Sequence, residues 1–365
     1  MKLRDYQQSL SDQVIDALHS HTRVVLACPT GSGKTVIAMH GIIPRLQGSI
    51  AWVTHRKELA RQARSYGSGI SVFMAQGEVI GDFDSVIIDE GHHVAASQYR
   101  KIIQSYPSAK IIALTATPYR LDGVGLGSCG FSQIIHGPDT YDLTNDGSLC
   151  KVRVYIPRSE KSAAWTPCAA AAKIAQCNFT KGIVFCRSVA EAQELAKILT
   201  HLGIKSASIN GNTDQLLRES IFRRFTKGSI KVICNHTIFT EGVDVPSVDL
   251  VVLNRYTHSR CLWKQMIGRG TRNAKGKIEC TILDLAGNGV FHGSIYDKEI
   301  YDLQGKVEST QSREIQSQST DKQPEYEHNE GEELKEWKPQ PKPIRIIESL
   351  QKLKSQSPLR RLRIG

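Results

Sequence analysis

The chain has 365 residues, 40% hydrophobic and 23% charged, the balance of an ordinary globular protein with two or three domains. No apolar run approaches the roughly 18–20 residues of a membrane helix, so a spanning protein is excluded. The opening MKLRDYQQSL lacks the apolar stretch of a signal peptide, so secretion is not expected. Nine cysteines are scattered without C-x-x-C spacing, which argues against a disulfide framework and against zinc, and fits a reducing cytoplasm. The net charge of +11 is compatible with a polyanionic partner, but it is uneven. Residues 321–336 carry −5 and residues 337–365 carry +7.

In chain order, apolar runs at 23–27, 50–54, 85–89 and 110–114 read as buried parallel strands. Helical patterns at 5–19, 34–46, 56–65 and 96–105 separate them. A Gly-rich, polar join follows at about 120–182, with a hairpin or edge strand expected at 151–156. The alternation then restarts, with strands at 182–186, 205–209, 230–234, 248–253 and 278–283 and helices at 188–201, 212–227 and 259–268. The expected class is therefore α/β with two successive parallel-sheet domains, 1–155 and 156–300. Residues 301–365 are expected to be a linker and basic tail, with a short amphipathic helix at 344–353.

Chemistry concentrates at the ends of these strands. PTGSGKT, comprising Pro29, Thr30, Gly31, Ser32, Gly33, Lys34 and Thr35, follows a strand and opens a helix. Such a glycine turn brings backbone N–H groups against phosphates. Lys34 would reach the β- and γ-phosphates, and the Thr35 hydroxyl would ligate magnesium. The strict pattern wants glycine where Cys28 stands. VIIDEGHH at 86–93 ends another strand in two carboxylates: Asp89 for magnesium and Glu90 to polarise the attacking water. In QMIGRGTR, Arg269 and Arg272 are three apart on an expected helix and would share one face, suited to charge on a transferring phosphate. Trp52 and Phe185 read as core, and packing is the expected role of Trp263.

Taken in order, these motifs resemble a superfamily 2 helicase or translocase. LRDYQ at 3–7 is similar to the adenine-sensing motif, ACPTGSGKT to motif I, VTHRKELARQ to Ia, DEGH to II and TATP at 115–118 to III. GIVFCRS at 182–188 resembles motif IV, TEGVDVP at 240–246 motif V and QMIGRGTR motif VI. Details such as LDLAGNGVFHG at 283–293 look closest to the XPB- and RadD-like bacterial and phage branch. The resemblance implies two RecA-like domains with ATP and Mg2+ in the cleft between them. It implies that Arg4 and Gln7 contact adenine, and that Gly242 and Asp244 touch the nucleotide across the cleft. Gln265, Arg269 and Arg272 would line its γ-phosphate side. It assigns His55, Arg56, Thr115, Thr117, Arg187 and Thr240 to nucleic acid, with Thr115 and Thr117 coupling nucleotide state to grip.

Three departures stand out. Motif II has Gly91 where Ala is usual. Only 32 residues separate Arg56 from Asp89, where relatives place an additional strand and helix. No cysteine follows Cys280, so the zinc module of some relatives is not expected in this sequence. The implied function is an ATP-driven motor on nucleic acid, with DNA favoured over RNA. An RNA helicase and an ATP-gated clamp or adaptor recruiting a protein through the tail stay open as alternatives.

Overall fold

The computed structural model describes residues 2–55, 57–67, 69–93, 97–119, 124–156, 165–236, 247–305 and 307–310. The first part runs α1 (Asp5–Ser20), β1 (Arg23–Ala27), α2 (Lys34–Ile37), β2 (Ile50–Thr54), α3 (Lys57–Ser65), β3 (Ser71–Met74) and β4 (Ser85–Asp89). It continues with α4 (Ser97–Ser105), β5 (Lys110–Thr115), β6 (Gln133–His136) and α5 (Thr140–Asn145). The second part runs β7 (Lys151–Tyr155), α6 (Pro167–Gln176), β8 (Gly182–Cys186), α7 (Val189–His201), β9 (Ser206–Ile209), α8 (Gln215–Thr226) and β10 (Val232–Asn235). It closes with β11 (Leu250–Asn254), α9 (Arg260–Ile267), β12 (Glu279–Leu283), α10 (Asn288–His292), β13 (Lys298–Tyr301) and β14 (Val307–Thr310).

Two six-stranded parallel sheets result, ordered β3-β2-β4-β5-β1-β6 and β7-β12-β11-β8-β10-β9. Each is buried on both faces, which is why its strands read as continuous apolar runs. In the first sheet, Val24, Leu26, Trp52 and Ile87 pack on one face with α1, while Val25, Val53, Val86 and Ile88 pack on the other with α4. In the second, Phe185, Val251 and Ile282 meet α8 and α9, while Val184, Val252 and Leu283 meet α6 and α7. Trp52, Phe185 and Trp263 are all fully buried, as the sequence suggested.

Three expectations are corrected. The strand at 151–155, counted above with the first unit, pairs with β12 at the edge of the second sheet, so the division between the sheets falls before Lys151. Its polar alternation marks an edge strand and says nothing about which sheet it joins. The polar join also holds β6, α5 and α6, the last started by Thr166, which accepts from Ala169 N–H, and by Pro167 at its first turn. The short span after Arg56 keeps an edge strand, β3, and the described residues between β3 and β4 contain no helix. The expected amphipathic helix at 344–353 and the basic tail lie outside the described residues.

The third correction concerns residues 298–310, expected to lead into a linker. They form an antiparallel hairpin outside both sheets. Its turn bonds to the first unit, with Gly125 N–H donating to the Gln304 carbonyl and Gly127 N–H to that of Leu303. Leu303 packs on the first unit's core, and a Cβ on Gly125 would collide with its carbonyl oxygen. On the other side Glu299, 3% exposed, pairs with Arg260 and Lys264 of α9 and accepts from Tyr301. The hairpin thus straps α9 to the first unit. Glu299→Ala would take this carboxylate from two part-buried cations, leaving Arg260 the more distant Asp297 (3.9 Å). We expect a loss of about 1–3 kcal/mol, read as a lowered urea midpoint.

Candidate active site

The glycine turn leaves the carboxyl end of β1. Gly31 (φ 90°) and Gly33 (φ 84°) sit in the left-handed region that only glycine enters without strain. Gly33 caps α2, whose first N–H groups have no acceptor inside the helix and face the turn. Lys34 Nζ donates to the carbonyls of Cys28 (3.0 Å) and Pro29 (3.2 Å). The loop therefore holds its ammonium group at the mouth of the turn. Cys28 fits where glycine is usual because Gly137 opposes it: a Cβ there would strike the Cys28 sulfur. Burial pushes that thiol up to about 11, so it stays neutral.

Gln7 and Tyr6 buttress the turn from α1. The Gln7 side-chain amide donates to the Ser32 carbonyl (3.1 Å), its oxygen accepts from Arg4 N–H (3.1 Å), and the Tyr6 hydroxyl donates to Ser32 O (2.7 Å). A Cβ on Gly33 would lie 2.7 Å from the Gln7 amide nitrogen. Arg4 reaches the Ser148 carbonyl (3.2 Å). Of the two residues implied for adenine, Gln7 thus lies against the glycine turn, while the Arg4 side chain reaches the loop before β7.

Asp89 ends β4 and is buried, and its carboxylate accepts from Glu90 N–H (3.0 Å). Among the described residues Glu90 is the one non-glycine with positive φ (53°), a strained conformation of the kind that surrounding structure holds in place at reactive sites. His92 Nδ1 lies 3.5 Å from the Glu90 carboxylate. Gly91 has a packing reason that the motif comparison missed. A Cβ there would come within 2.8 Å of the Ala113 Cβ on β5. Gly91→Ala is expected to cost about 1–3 kcal/mol through overpacking, checked by thermal unfolding.

Thr115 and Thr117, grouped above with nucleic-acid contacts, are fully buried and shut off from any strand. Thr115 Oγ1 donates to the Thr117 carbonyl (2.9 Å) and sits 3.5 Å from His92, while Thr117 Oγ1 donates to Cys261 Sγ of α9 (3.0 Å). Their geometry suits coupling the two units, not touching a strand. His55 and Arg187 follow β2 and β8 at the carboxyl edges of their sheets. Arg187 donates to Glu191 (2.9 Å) with its side chain half exposed. Arg56, Thr240, Gly242 and Asp244 lie outside the residues whose side chains are described.

The second unit rests directly on the glycine turn. A Cβ on Gly268 would sit 2.6 Å from the Thr30 side chain, and Thr271 Oγ1 lies 3.4 Å from the Thr30 carbonyl. Gln265, also buried, approaches His92 (3.5 Å). Arg269 and Arg272 do not share a helix face as expected, because α9 ends at Ile267 and the chain turns there. Arg269 is buried, whereas Arg272 is half-buried against Gly31. Sequence spacing missed His92, Gly268 and Thr271 as interface residues; their place inside the motifs was the available signal. A cavity of about 530 Å³ opens beside this junction, walled by Tyr6, Cys28, Asp139, Lys264 and Tyr301.

The donor set fits a nucleotide with a hard divalent cation. The glycine cradle excludes side chains, one ammonium stands at its mouth, and Thr35 and Asp89 offer oxygen ligands of the type magnesium takes.

Residues 1–73 and 71–120 match the family model described as the res subunit of type III restriction enzymes, and residues 170–274 match the helicase conserved C-terminal domain. A mitochondrial protein of Schizosaccharomyces pombe named as the ATP-dependent helicase irc3 is 29% identical over 354 residues, covering 78% of this chain. This chain spans 57% of that relative's length, and 51% of the Saccharomyces cerevisiae counterpart. The DNA 3'-5' translocase XPB2 of Sulfurisphaera tokodaii is 24% identical, covering 79% of this chain and 82% of its own. Among solved structures, an HsdR fragment of a type I restriction enzyme from Vibrio vulnificus shares the fold, with a TM-score of 0.65 and 23% identity over 84% of this chain and 67% of that one. With motifs in family order on two parallel sheets, and family-model matches over residues 1–120 and 170–274, the chain resembles the superfamily 2 helicases.

Proposed function

We propose that the protein is an ATP-dependent translocase on nucleic acid, with DNA as its track. The contact of Gly268 and Thr271 with Thr30 carries this reading, because it sets the second unit's arginine segment on the first unit's phosphate turn. The two units divide near residue 150, and the region from 301 onward contributes the strap and a tail suited to a protein partner. The cysteine usage supports a reducing, cytoplasmic setting. The name of the archaeal translocase favours DNA.

Bound ATP with Mg2+ would supply the transferable phosphoryl group and neutralise its charge. Lys34 moves from the carbonyls of Cys28 and Pro29 to meet phosphate oxygens. Thr35 and Asp89 would hold the cation. Glu90 orients the attacking water, with its backbone fixed by Asp89. Arg269 and Arg272 approach from the second unit and stabilise the charge that develops, aided by Gln265. Gly242 and Asp244 complete that side, and Arg4 and Gln7 flank the base. Closure follows because both units grip one phosphate chain, and hydrolysis removes the bridge. Thr117 with Cys261, and His92 with Gln265, carry that change between the units. His55, Arg56, Arg187 and Thr240 are assigned to strand phosphates.

Steady-state ATP hydrolysis tests the reading, run without nucleic acid and with single-stranded DNA, forked DNA or RNA. Stimulation by DNA, lost in Lys34→Ala, supports it. Stimulation by RNA alone makes the protein an RNA motor. Hydrolysis indifferent to every polymer favours the clamp reading, which the missing helix between β3 and β4 also motivates.

A further inference from the structure

The second unit carries an exposed aromatic cluster that the ATP site does not use. Tyr256 and His258 on the loop after β11, and Phe291 on α10, are exposed, Phe291 by 57%. Their rings meet edge to face, with centroids 5.0 Å apart for Tyr256–His258, 6.0 Å for Tyr256–Phe291 and 5.4 Å for His258–Phe291. Large apolar groups gathered in water mark a surface that something covers.

The cluster is held rigidly from beneath. Buried Asp284 accepts from the Asn288 side chain (3.0 Å) and from Gly289 N–H (2.7 Å). Asn288, also buried, accepts from Thr257 N–H (2.9 Å) and donates to the Arg255 carbonyl (3.0 Å). The His292 ring bonds the Thr257 carbonyl (2.7 Å) and stacks on buried Trp263 at 5.2 Å. The space under the rings is therefore filled, and they cannot fold inward. This accounts for LDLAGNGVFHG: its Asp, Asn and His build the support, and its Phe is the part presented to solvent. Burial lowers the His292 pKa below the ordinary 6.5, against the raising effect of its Thr257 bond. The unfolded chain then takes up more protons, so the second unit should lose stability as pH falls below about 6.5, levelling off under the folded value. A urea-midpoint series over pH 5–8 checks this, and His292→Gln should flatten it.

The position of the rings identifies the occupant. Strands β12, β11, β8 and β10 are neighbours in that order, all parallel, so the loops after them share one edge. Phe291 follows β12; Arg255, Tyr256 and His258 follow β11; Arg187 follows β8; and His236 follows β10. Arg255 ties the row together by donating to the His236 carbonyl (2.8 Å). Aromatic faces thus lie at one end of an edge that continues in guanidinium and imidazole groups. Stacked bases with phosphates running on past cations match this arrangement, and every base has a face to stack, so the contact is independent of sequence. A duplex keeps its base faces inside the helix and cannot use the rings.

We propose that Tyr256, His258 and Phe291 form a platform that stacks unpaired bases of a single strand crossing the second unit. This rests on the nucleic-acid reading above. The test measures equilibrium binding of wild type, Tyr256→Ala, Phe291→Ala and Phe291→Trp to three probes: oligothymidine, an abasic strand of equal length, and blunt duplex DNA. Each alanine variant is expected to bind oligothymidine about 5- to 100-fold more weakly. Binding to the abasic strand and the duplex should stay within about twofold, and Phe291→Trp should restore the affinity. Thermal midpoints equal to wild type would show that the exposed substitutions leave the fold intact. If the alanine variants bind oligothymidine as wild type does, or lose all three probes equally, the platform is overturned. If wild type itself binds none of the probes, the nucleic-acid reading fails instead.

Discussion

Arg269→Ala is expected to keep ATP binding and lose turnover, with kcat falling about 10³- to 10⁵-fold, the range for arginines that stabilise a transferring phosphoryl group. In the proposed role the guanidinium meets charge that exists only as the phosphoryl group transfers. Its loss therefore raises the barrier and leaves ground-state affinity nearly unchanged. The structure gives Arg269 a stronger claim than Arg272. It is buried, and it lies between Gly268, which abuts Thr30, and Thr271, which also reaches Thr30. Arg272 is more open to solvent, so its removal should cost less. Single-turnover hydrolysis together with fluorescent-nucleotide binding separates the two steps. Unchanged turnover in Arg269→Ala would remove it from the mechanism. Because a buried cation is being deleted, Arg269→Lys serves as the companion variant. It keeps charge without the planar fork and should recover folding but little of the rate.

Lys34→Ala should lower hydrolysis by at least about 10²–10³-fold, the usual cost of removing one preorganised donor from a developing anion. Unlike Arg269→Ala, it should weaken ATP binding as well, because the ammonium meets phosphates in the ground state. The structure adds a reason to expect little loss of stability. Among the described residues Lys34 donates to the carbonyls of Cys28 and Pro29, in a part-buried turn that water can reach once the side chain is gone. Unchanged thermal midpoints with lost hydrolysis would separate the chemical role from a packing one. Binding and hydrolysis at wild-type levels would sink the assignment.

These expectations depend unequally on the sequence. The glycine turn was legible because only glycine accepts the φ of positions 31 and 33, so the residue type itself reports the backbone. The paired carboxylates at 89–90 were legible because a buried parallel strand ends where its apolar run stops. The arginine pair was misread. A spacing of three suggested one helix face, but α9 stops at Ile267, ahead of both. Helix ends depend on what the chain packs against, and Gly268 turns there against Thr30 of the other unit. Thr115 and Thr117 were read as strand contacts because family position carries no information about burial. Both are closed in by His92 and Cys261, residues distant in sequence.

The sequence by itself determined the class, the two parallel sheets and nearly every central strand, because burial on both faces forces continuous apolar runs with sharp polar ends. It also determined the glycine turn and the carboxylates at 89–90, which are local. Only the tertiary structure decided the membership of β7, the strap formed by β13 and β14, the need for glycine at position 91 and the exposure of Tyr256 and Phe291. Each of these is a contact or a vacancy between segments far apart in the chain. Local patterning reports the backbone and the buried faces of single elements. Which element a strand edge, a glycine or an aromatic ring finally meets is settled when the sheets pack.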